Sequence, residues 1–209
     1  MMKRKEGSYK ISWKDLTKIA TEITDGLKHL HDNKIIHRNL HPNNVLIDNG
    51  KALITDFGVS RQLDCDTTAS SAIDMPVAYI DPQYLQYSSL SEKSDIYSLG
   101  VLFWELTSGI PPFKNSSTLT IMLEVLRNNR EKPVANTPKE YIDLYKECWS
   151  PKPAQRPTLN YIKNELKRLS KKIPIKYIKN NIVYPYHLSN SNLGSGKHNG
   201  NSELIFLIF

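Results

Sequence analysis

The sequence predicts a mostly helical domain that contains one short β-hairpin. Apolar residues recur every three or four positions over residues 12–31, which indicates an amphipathic helix. Residues 94–107 are apolar almost all round, which is typical of a helix buried on every side. The hairpin is indicated by Asn49-Gly50 between two short apolar runs, because Asn-Gly is the strongest short-range hairpin signal.

The helix over residues 12–31 has both an apolar stripe and a start signal. Ser12 is placed to cap the helix N-terminus, and Asp15 puts a negative charge in the first turn, where the helix dipole favours it. The predicted buried stripe consists of Leu16, Ile19, Ile23, Leu27 and Leu30. Three more helices are predicted over residues 118–128, 138–149 and 158–169.

The predicted hairpin strands, over residues 45–47 and 52–54, determine which loops meet. A hairpin returns the chain to the end of the ribbon from which it started. We therefore expect Asn44, before the first strand, and Asp56, after the second, to converge on one ligand. Residues 58–93 show little periodicity and are predicted to be a long loop, which in a compact domain is usually functional or mobile.

The predicted domain covers residues 12–169 and lies between two basic ends. The net charge of +7 comes from a leader over residues 1–11 and a tail over residues 170–209, while the body is neutral. Binding of nucleic acid through a basic face is therefore not expected. The tail lacks helical periodicity and is predicted to be disordered. Its apolar end, residues 204–209, has three open interpretations: a sticky tail, a partner strand or a non-native reading-frame remnant.

Two observations bear on the cellular compartment. No run of about 18 or more apolar residues exists, so we expect no membrane span, and the basic start leads into no apolar segment of a secretory signal. The two cysteines, Cys65 and Cys148, are far apart and lack metal-binding spacing, so neither a disulfide framework nor a zinc site is expected. We therefore expect an intracellular, cytoplasmic protein.

The most informative residues flank the hairpin. Before it stands the string His37-Arg38-Asn39-Leu40-His41-Pro42-Asn43-Asn44, and after it stands Asp56-Phe57-Gly58. These strings resemble the catalytic loop and the magnesium-binding motif of eukaryotic protein kinases, whose pattern is H-R-D-L-x-x-x-N followed by D-F-G. Three further matches follow in the family's order: residues 78–83, similar to the end of an activation segment; residues 94–101, similar to the start of the central buried helix; and Cys148-Trp149 with Gln155-Arg156-Pro157, similar to the tyrosine-kinase-like branch.

The resemblance covers roughly residues 12–169 and implies the C-lobe of the protein kinase fold, a mostly helical bundle with a short hairpin. It implies ATP and Mg²⁺ as cofactors and a protein substrate whose Ser/Thr or Tyr hydroxyl accepts the phosphoryl group. Asp56 and Asn44 would then supply oxygen ligands to Mg²⁺, which is a hard cation. Leu46 would form the floor of the adenine site, and Thr55 would lie beside the nucleotide.

A departure with chemical consequences is Asn39, which stands where the family has its catalytic Asp. An amide is not a useful base, and a general base typically contributes about 10²–10⁴-fold to the rate. Asn39 could still orient a hydroxyl through its carbonyl oxygen. His41 stands where Ser/Thr kinases usually have a phosphate-contacting Lys. It would serve when protonated, at an unperturbed pKa of about 6.5, and a solvated loop histidine is the alternative.

The resemblance also assigns structural roles to residues near the site. His37 would pack near Phe57, which Gly58 follows in the magnesium-binding motif. Asp95 would lie beneath the catalytic loop, where its carboxylate would accept hydrogen bonds from backbone N–H groups. Together these residues would hold the loop in place.

The activation segment takes its expected contacts from the same resemblance. Arg38 would bind a phosphorylated residue of this segment. The candidate phosphorylation sites are Thr67, Thr68, Ser70 and Ser71. Gln83 stands where the family's Glu pairs with the Arg that matches Arg156, so we expect a weak anchor for the segment.

The residues before the catalytic loop contain neither a G-x-G-x-x-G loop nor a V-A-I-K lysine. The N-lobe sheet, which holds the phosphate lid and the phosphate-binding lysine, is therefore expected to be absent. We expect a kinase-like chain that is truncated and catalytically impaired. Three functions stay open: an enzyme that acts with an N-lobe-bearing partner, a pseudokinase scaffold that binds protein partners in signalling, and a gene fragment without an independent role.

Overall fold

The computed structural model describes residues 3–5, 8–58, 60–62, 75–174, 176–181 and 205–206. Across these ranges the chain is mostly helical, with small β-sheets of two or three strands. The helices are α1 (Trp13–Asp32), α2 (Pro82–Tyr87), α3 (Glu92–Ser108), α4 (Thr118–Leu126), α5 (Lys139–Cys148) and α6 (Leu159–Lys172). The strands are β1 (Lys3–Lys5), β2 (Ser8–Ser12), β3 (Ile35–Ile36), β4 (Val45–Asp48), β5 (Lys51–Ile54), β6 (Arg61–Gln62), β7 (Tyr177–Asn181) and β8 (Ile205–Phe206). No helix in these ranges combines the length and the apolar character that crossing a bilayer requires.

α1 begins where its cap signal predicts. The Ser12 hydroxyl accepts a hydrogen bond from the backbone N–H of Asp15 over 3.0 Å, and Asp15 lies in the first turn. The predicted stripe is buried or packed against the core: Leu16, Ile19, Ile23, Leu27 and Leu30. The other predicted helices are also present, and their ends lie within about three residues of the predicted ones.

α3 forms the centre of the hydrophobic core, as its apolar sequence predicts. Its residues from Ser94 to Ser108 are all buried, and α1 and α5 pack against it. The approach to α5 is closest at Gly100, where an added Cβ would lie 2.7 Å from the Cβ of Cys148 and 2.9 Å from the backbone nitrogen of Trp149. Only glycine therefore fits at this crossing.

β4 and β5 form the predicted antiparallel hairpin. Asn49 and Gly50 make its turn with φ values of 48° and 75°. Two successive residues in the left-handed region match a type I′ turn, which explains why Asn-Gly is favoured there. The backbone N–H of Thr55 donates to the carbonyl of Asn44 over 2.9 Å, so the two loops leave the hairpin side by side.

The predicted loop over residues 58–93 contains two short elements that periodicity did not predict. β6 pairs with β3, and α2 is only six residues long. α2 depends on its start: Asp81 caps it by accepting from the Gln83 N–H over 2.9 Å, and Pro82 occupies the first turn. Elements this short carry no detectable period. Residues 59 and 63–74 of this segment lie outside the described residues.

The predicted disordered tail contains two strands in the structure, β7 and β8. Residues 177–181, expected to be disordered, form β7, which pairs antiparallel with β2 and places Ile178 opposite Ile11. Both isoleucine side chains are fully buried. The tail's polar composition concealed this strand because Ile178 is the one buried side chain among those described in it, and its partner strand lies at the other end of the sequence. Residues 182–204 lie outside the described residues.

β8 belongs to the apolar end of the chain. Its backbone pairs antiparallel with β4, with Phe206 opposite Leu46 and Ile205 opposite Ile47. Among the three interpretations of this segment, a partner strand matches the pairing. The arrangement covers one edge of the hairpin next to Leu46, the residue expected at the adenine floor.

Candidate active site

Asp95 holds the candidate catalytic loop, residues 37–44, in place through its backbone. It lies in the first turn of α3 and is 1% exposed. Its two carboxylate oxygens accept hydrogen bonds from the backbone N–H groups of His37 and Arg38, each over 2.9 Å. A third contact comes from His31 of α1, whose Nε2 lies 2.8 Å from Asp95 Oδ2. The loop is therefore tied to two helices of the core, although Arg38 must adopt a left-handed φ of 70° to reach this geometry.

His37 connects the catalytic loop to the segment after the hairpin. Its Nδ1 accepts a hydrogen bond from the Asn39 N–H over 3.2 Å, and its Nε2 lies 3.0 Å from the carbonyl oxygen of Thr55. Because Nδ1 accepts, the neutral ring carries its hydrogen on Nε2 and donates it to Thr55. The imidazole also meets the Phe57 ring edge to face, with centroids 5.7 Å apart. The fully buried His37 thus aligns the two halves of the site.

Asn39, Asn44 and Asp56 converge at the end of the hairpin. Asp56 Oδ2 accepts from Asn39 Nδ2 and from Asn44 Nδ2, each over 3.3 Å. Asn44 Nδ2 also donates to the Asn39 backbone carbonyl over 2.8 Å. Asp56 itself is exposed and has a left-handed φ of 61°. The hairpin therefore brings Asn44 and Asp56 together, in the way that its geometry predicts.

The Asn39 amide acts as a donor in this cluster. Its nitrogen points to the Asp56 carboxylate, while its oxygen is buried and lacks a hydrogen-bond partner among the described residues. A carboxylate at position 39 would face Asp56 with like charge, which raises the free energy of the pair unless a cation lies between them. An asparagine at this position avoids that repulsion, and its amide is not a useful base.

The donor set fits a hard divalent cation in its chemistry. Asp56 offers a carboxylate, and Asn44 offers an amide oxygen once its side chain turns, since its nitrogen now faces Asp56. Two protein ligands are few for Mg²⁺, but this cation usually keeps waters and binds substrate phosphates as well. Within the described ranges, no group of three or more His, Cys, Asp or Glu side chains could hold a metal ion. A magnesium ion here would therefore depend on a nucleotide for its remaining ligands.

His41 lies inside the site and not in solvent. It is 7% exposed, its Nε2 lies 3.1 Å from Asn44 Nδ2, and its ring centroid lies 6.2 Å from that of Tyr79. The alternative of a solvated loop histidine is therefore wrong. His41 is buried because the catalytic loop packs against Tyr79 of the activation segment. The local sequence does not reveal this contact.

Arg38 projects towards the activation segment. It lines a small pocket together with Met75, Tyr79 and Ile80, and its Nε has no hydrogen-bond partner in the part of the chain that the structure describes. The candidate phosphorylation sites all lie outside that part: Thr67, Thr68, Ser70 and Ser71. The proposed contact of Arg38 with a phosphorylated residue stays a prediction.

Arg156 is anchored by a residue that the sequence analysis did not select. Its Nη1 and Nη2 donate to the two carboxylate oxygens of Asp81 over 2.7 Å and 2.8 Å. The pair is buried, and Ser94 Oγ donates to Asp81 over 2.8 Å. Gln83 therefore does not leave Arg156 facing an amide, and the expected weak anchor is wrong. The available signal was an Asp before Pro82, which marks a helix cap.

A second overlooked pair lies behind the activation segment. Glu105, in the largely apolar stretch of α3 over residues 96–106, is 3% exposed and accepts a hydrogen bond from the hydroxyl of buried Tyr79. Burial raises the pKa of Glu105 to about 8. The signal in the sequence was one acidic residue within the apolar stretch over residues 96–106, since buried charges are rare unless paired.

The comparisons with known proteins agree with this geometry. The structure is mostly helical with small sheets, and residues 2–166 match the family model of protein tyrosine and serine/threonine kinases. The chain belongs to the protein kinase family. It is 33% identical over 159 residues to a probable LIM domain-containing serine/threonine-protein kinase of Dictyostelium discoideum, covering 76% of this chain and 16% of that relative.

Other relatives include both kinase types. The tyrosine-protein kinase Fer of Rattus norvegicus is 32% identical over 176 residues, covering 83% of this chain and 21% of the relative. Mitogen-activated protein kinase kinase kinase 13-B of Xenopus laevis is 37% identical over 155 residues, covering 73% of this chain and 16% of the relative. The chain thus spans about a fifth or less of the length of these relatives, and the serine/threonine and tyrosine branches match it about equally well.

Proposed function

We propose that this chain is a protein kinase C-lobe whose phosphoryl transfer is impaired at the general base. The observation that carries the proposal is the Asn39 amide, which donates to Asp56 over 3.3 Å where a base would accept a proton. Loss of a general base typically costs about 10²–10⁴-fold in rate. The remaining catalytic power of the family rests on positioning and charge stabilisation.

ATP and Mg²⁺ are the cofactors that the family implies. Asp56 and Asn44 would hold the ion against the nucleotide phosphates, Leu46 would contact the base, and Thr55 would lie beside the nucleotide. Bound Mg²⁺ would neutralise charge on the transferring phosphoryl group. In the chain itself, Asn39 would orient the acceptor hydroxyl through its amide oxygen without removing the proton, and buried His41 would lie next to Asn44 at the acceptor side.

A protein is the proposed substrate or partner. A cavity of about 380 Å³ beside the catalytic loop is lined mainly by apolar residues of the activation segment and the loop after α3, including Ala78, Pro112 and Phe113. Such a surface suits an extended polypeptide. It does not distinguish a Ser or Thr acceptor from a Tyr acceptor. The same proposal includes a cytoplasmic signalling role, membership of the tyrosine-kinase-like branch and cooperation with an N-lobe-bearing partner.

A pseudokinase scaffold is the second candidate function. The feature that favours it is that the contacts which hold the loops in place are present while the catalytic base is not. The bonds from Asp95 to the catalytic loop and from Asp81 to Arg156 are intact, whereas position 39 lacks a base. A domain that keeps its shape but not its base retains the surfaces that bind partners.

The test is phosphate transfer from labelled ATP to casein by the full chain fused downstream of the N-lobe of a related kinase. We expect Asn39→Asp to raise turnover of the fusion by about 10²–10⁴-fold, and Asp56→Ala added to it to abolish the gain. The matched control is Asn164→Asp, the same change at an exposed position of α6, which should leave turnover unchanged. Without the fusion we expect no transfer with either residue at position 39, because residues 1–36 contain no glycine-rich loop.

The outcome that contradicts the proposal is a fused wild-type chain that transfers phosphate as fast as the Asn39→Asp fusion. Asn39 would then not limit the reaction. An inactive Asn39→Asp fusion that still binds labelled ATP would instead favour the scaffold.

A further inference from the structure

A groove between α1 and α6 is separate from the catalytic site. Its volume is about 1080 Å³, and the segment that leads into β7 forms part of its lining. Pockets for small ligands usually measure about 300–1,000 Å³, so this groove is large enough for a piece of polypeptide. None of the candidate catalytic or magnesium-binding residues lines it.

The floor of the groove is largely apolar. Trp13 is held there by the hydrogen bond from its Nε1 to the Leu169 carbonyl over 3.2 Å. Ile173, Pro174 and Tyr177 continue the floor towards β7, and the Tyr177 side chain is 38% exposed. An amphipathic segment would find apolar contacts along this line.

Lysines border the floor on both sides. Lys14 and Lys18 lie one turn apart on α1, and Lys163 and Lys167 lie one turn apart on α6. The two helices run antiparallel, because Lys163 pairs with Asp25 over 2.6 Å at one end, while Trp13 meets Leu169 at the other. The groove is therefore flanked by two positive rows.

Part of this positive charge is uncompensated. Lys18 donates to the Gly50 carbonyl over 2.7 Å and lies 3.9 Å from the Glu22 carboxylate. Lys163 has its partner in Asp25. For Lys14 and Lys167 no ion pair or hydrogen bond of the side chain occurs within the described ranges. The acidic lining residue Glu22 is already engaged, since it accepts from the Ala52 N–H over 2.8 Å.

We propose that this groove is a docking site for an acidic amphipathic helix of a partner protein. Such a helix would place its apolar ridge on the floor and carboxylates on both flanks, opposite the two lysine rows. The shape favours this occupant over two other anionic ones. A bilayer surface is too flat to follow the concave floor. A nucleic acid strand offers negative charge, but it has no apolar ridge between two rows of negative charge. The proposal is independent of phosphoryl transfer.

The test is fluorescence anisotropy with the full chain and a labelled synthetic peptide of about 16 residues, long enough for four helical turns. The peptide has Leu at every third or fourth position and Glu on both flanks of that stripe. A second peptide with Lys in place of Glu reports the role of charge. Vesicles of phosphatidylcholine with phosphatidylserine and a thymidine oligonucleotide are the other two probes.

We expect the acidic peptide to bind in a salt-dependent manner and the basic peptide not to bind. The double variant Lys14→Glu/Lys167→Glu should weaken binding about tenfold or more. The matched control Lys146→Glu/Lys152→Glu makes the same change of charge at exposed lysines outside the groove, and should weaken it less than about twofold. Ile173→Asn, which leaves the charge unchanged, should also weaken binding. Thermal unfolding followed by circular dichroism checks that each variant is folded.

Three results would overturn the proposal. The first is no binding of the acidic peptide by the folded chain. The second is an equal loss of binding in the groove variant and the control variant. The third is tighter binding to the vesicles or the oligonucleotide that the Lys14→Glu/Lys167→Glu change removes, since the groove would then serve a membrane or a nucleic acid.

Discussion

Single carboxylates decide how firmly the activation segment is held. Asp81 receives two hydrogen bonds from the buried guanidinium of Arg156 and one from Ser94. It also caps α2 through the Gln83 N–H. The same side chain thus satisfies a buried charge and starts a helix, and the amide of Gln83 is not needed for either task.

The charge of Asp81 can be tested separately from its role as a cap. Asparagine also caps helices, so Asp81→Asn keeps the cap and removes the charge that faces Arg156. We expect a loss of about 3–5 kcal/mol in the free energy of unfolding, because one partner of a buried ion pair is left uncompensated. Urea denaturation measures it. Gln83→Ala is the control and should cost less than about 1 kcal/mol; an equal cost for both changes would contradict the assignment.

Glu105 should make the stability of the domain pH-dependent. Burial raises its pKa from the usual 4.5 to about 8 in the folded state. Between these values the folded state holds a proton that the unfolded state releases, so the free energy of unfolding falls as pH rises, by roughly 1 kcal/mol per pH unit. Below pH 4.5 the contribution is fully present, and it is lost as pH rises through about 8.

Denaturation at several pH values compares the wild type with Glu105→Gln. Glutamine can still accept the Tyr79 hydrogen bond but does not titrate, so we expect a flatter profile between pH 5 and 8. Glu140→Gln, at an exposed position of α5, should keep the wild-type slope. An unchanged slope in Glu105→Gln would show that another group causes the pH dependence.

At the scale of elements, β2 and β7 join the two ends of the domain. They lie in one sheet with β1, and the backbone N–H of Trp13, at the start of α1, donates to the Lys176 carbonyl over 3.1 Å. The Tyr9 hydroxyl of β2 donates to the Leu106 carbonyl of α3 over 2.8 Å. Asn180 of β7 reaches the same helix end through the Ser108 carbonyl. The sheet therefore covers the C-terminal end of α3.

β7 should contribute to stability like a core element. Ile178→Ala removes a fully buried side chain, and we expect a loss of about 2–5 kcal/mol in the free energy of unfolding. The neighbouring Lys179 is exposed, so Lys179→Ala is the matched control and should change stability by less than about 0.5 kcal/mol. Thermal and chemical denaturation of the two variants provide the measurement. Equal stabilities would mean that the segment after α6 does not pack on the domain.

At the scale of the whole molecule, one buried helix organises both core and site. α3 presents Asp95 to the catalytic loop at its start and Glu105 to the activation segment near its end. Around it, α1 and α6 border a lysine-flanked groove that none of the candidate catalytic residues lines. The proposed loss of the base at Asn39 and the proposed docking of a partner thus concern two separate parts of the molecule.

Patterns with a local cause were predictable from the sequence alone. Helix periodicity placed α1, an all-round apolar stretch placed α3, and the Asn-Gly turn placed the hairpin. The hairpin brought Asn44 and Asp56 to one end of the ribbon. The kinase resemblance rested on those same residues. Each of these signals is contained within a window of a few turns or one hairpin, where backbone preference and alternation of apolar residues decide the structure.

Only the tertiary structure decided the contacts between distant segments. Asp81 took the place expected of position 83 opposite Arg156, His41 became buried, and β7 paired with β2 across most of the chain. These outcomes depend on which surfaces meet and which buried charge lies within reach, and a charged or polar residue looks the same in sequence whether it is solvated or paired. The sequence by itself determined the longer helices, the hairpin and the chemical types at the site. Long-range packing determined the short elements and the partners of each residue, because burial is a property of the assembled core.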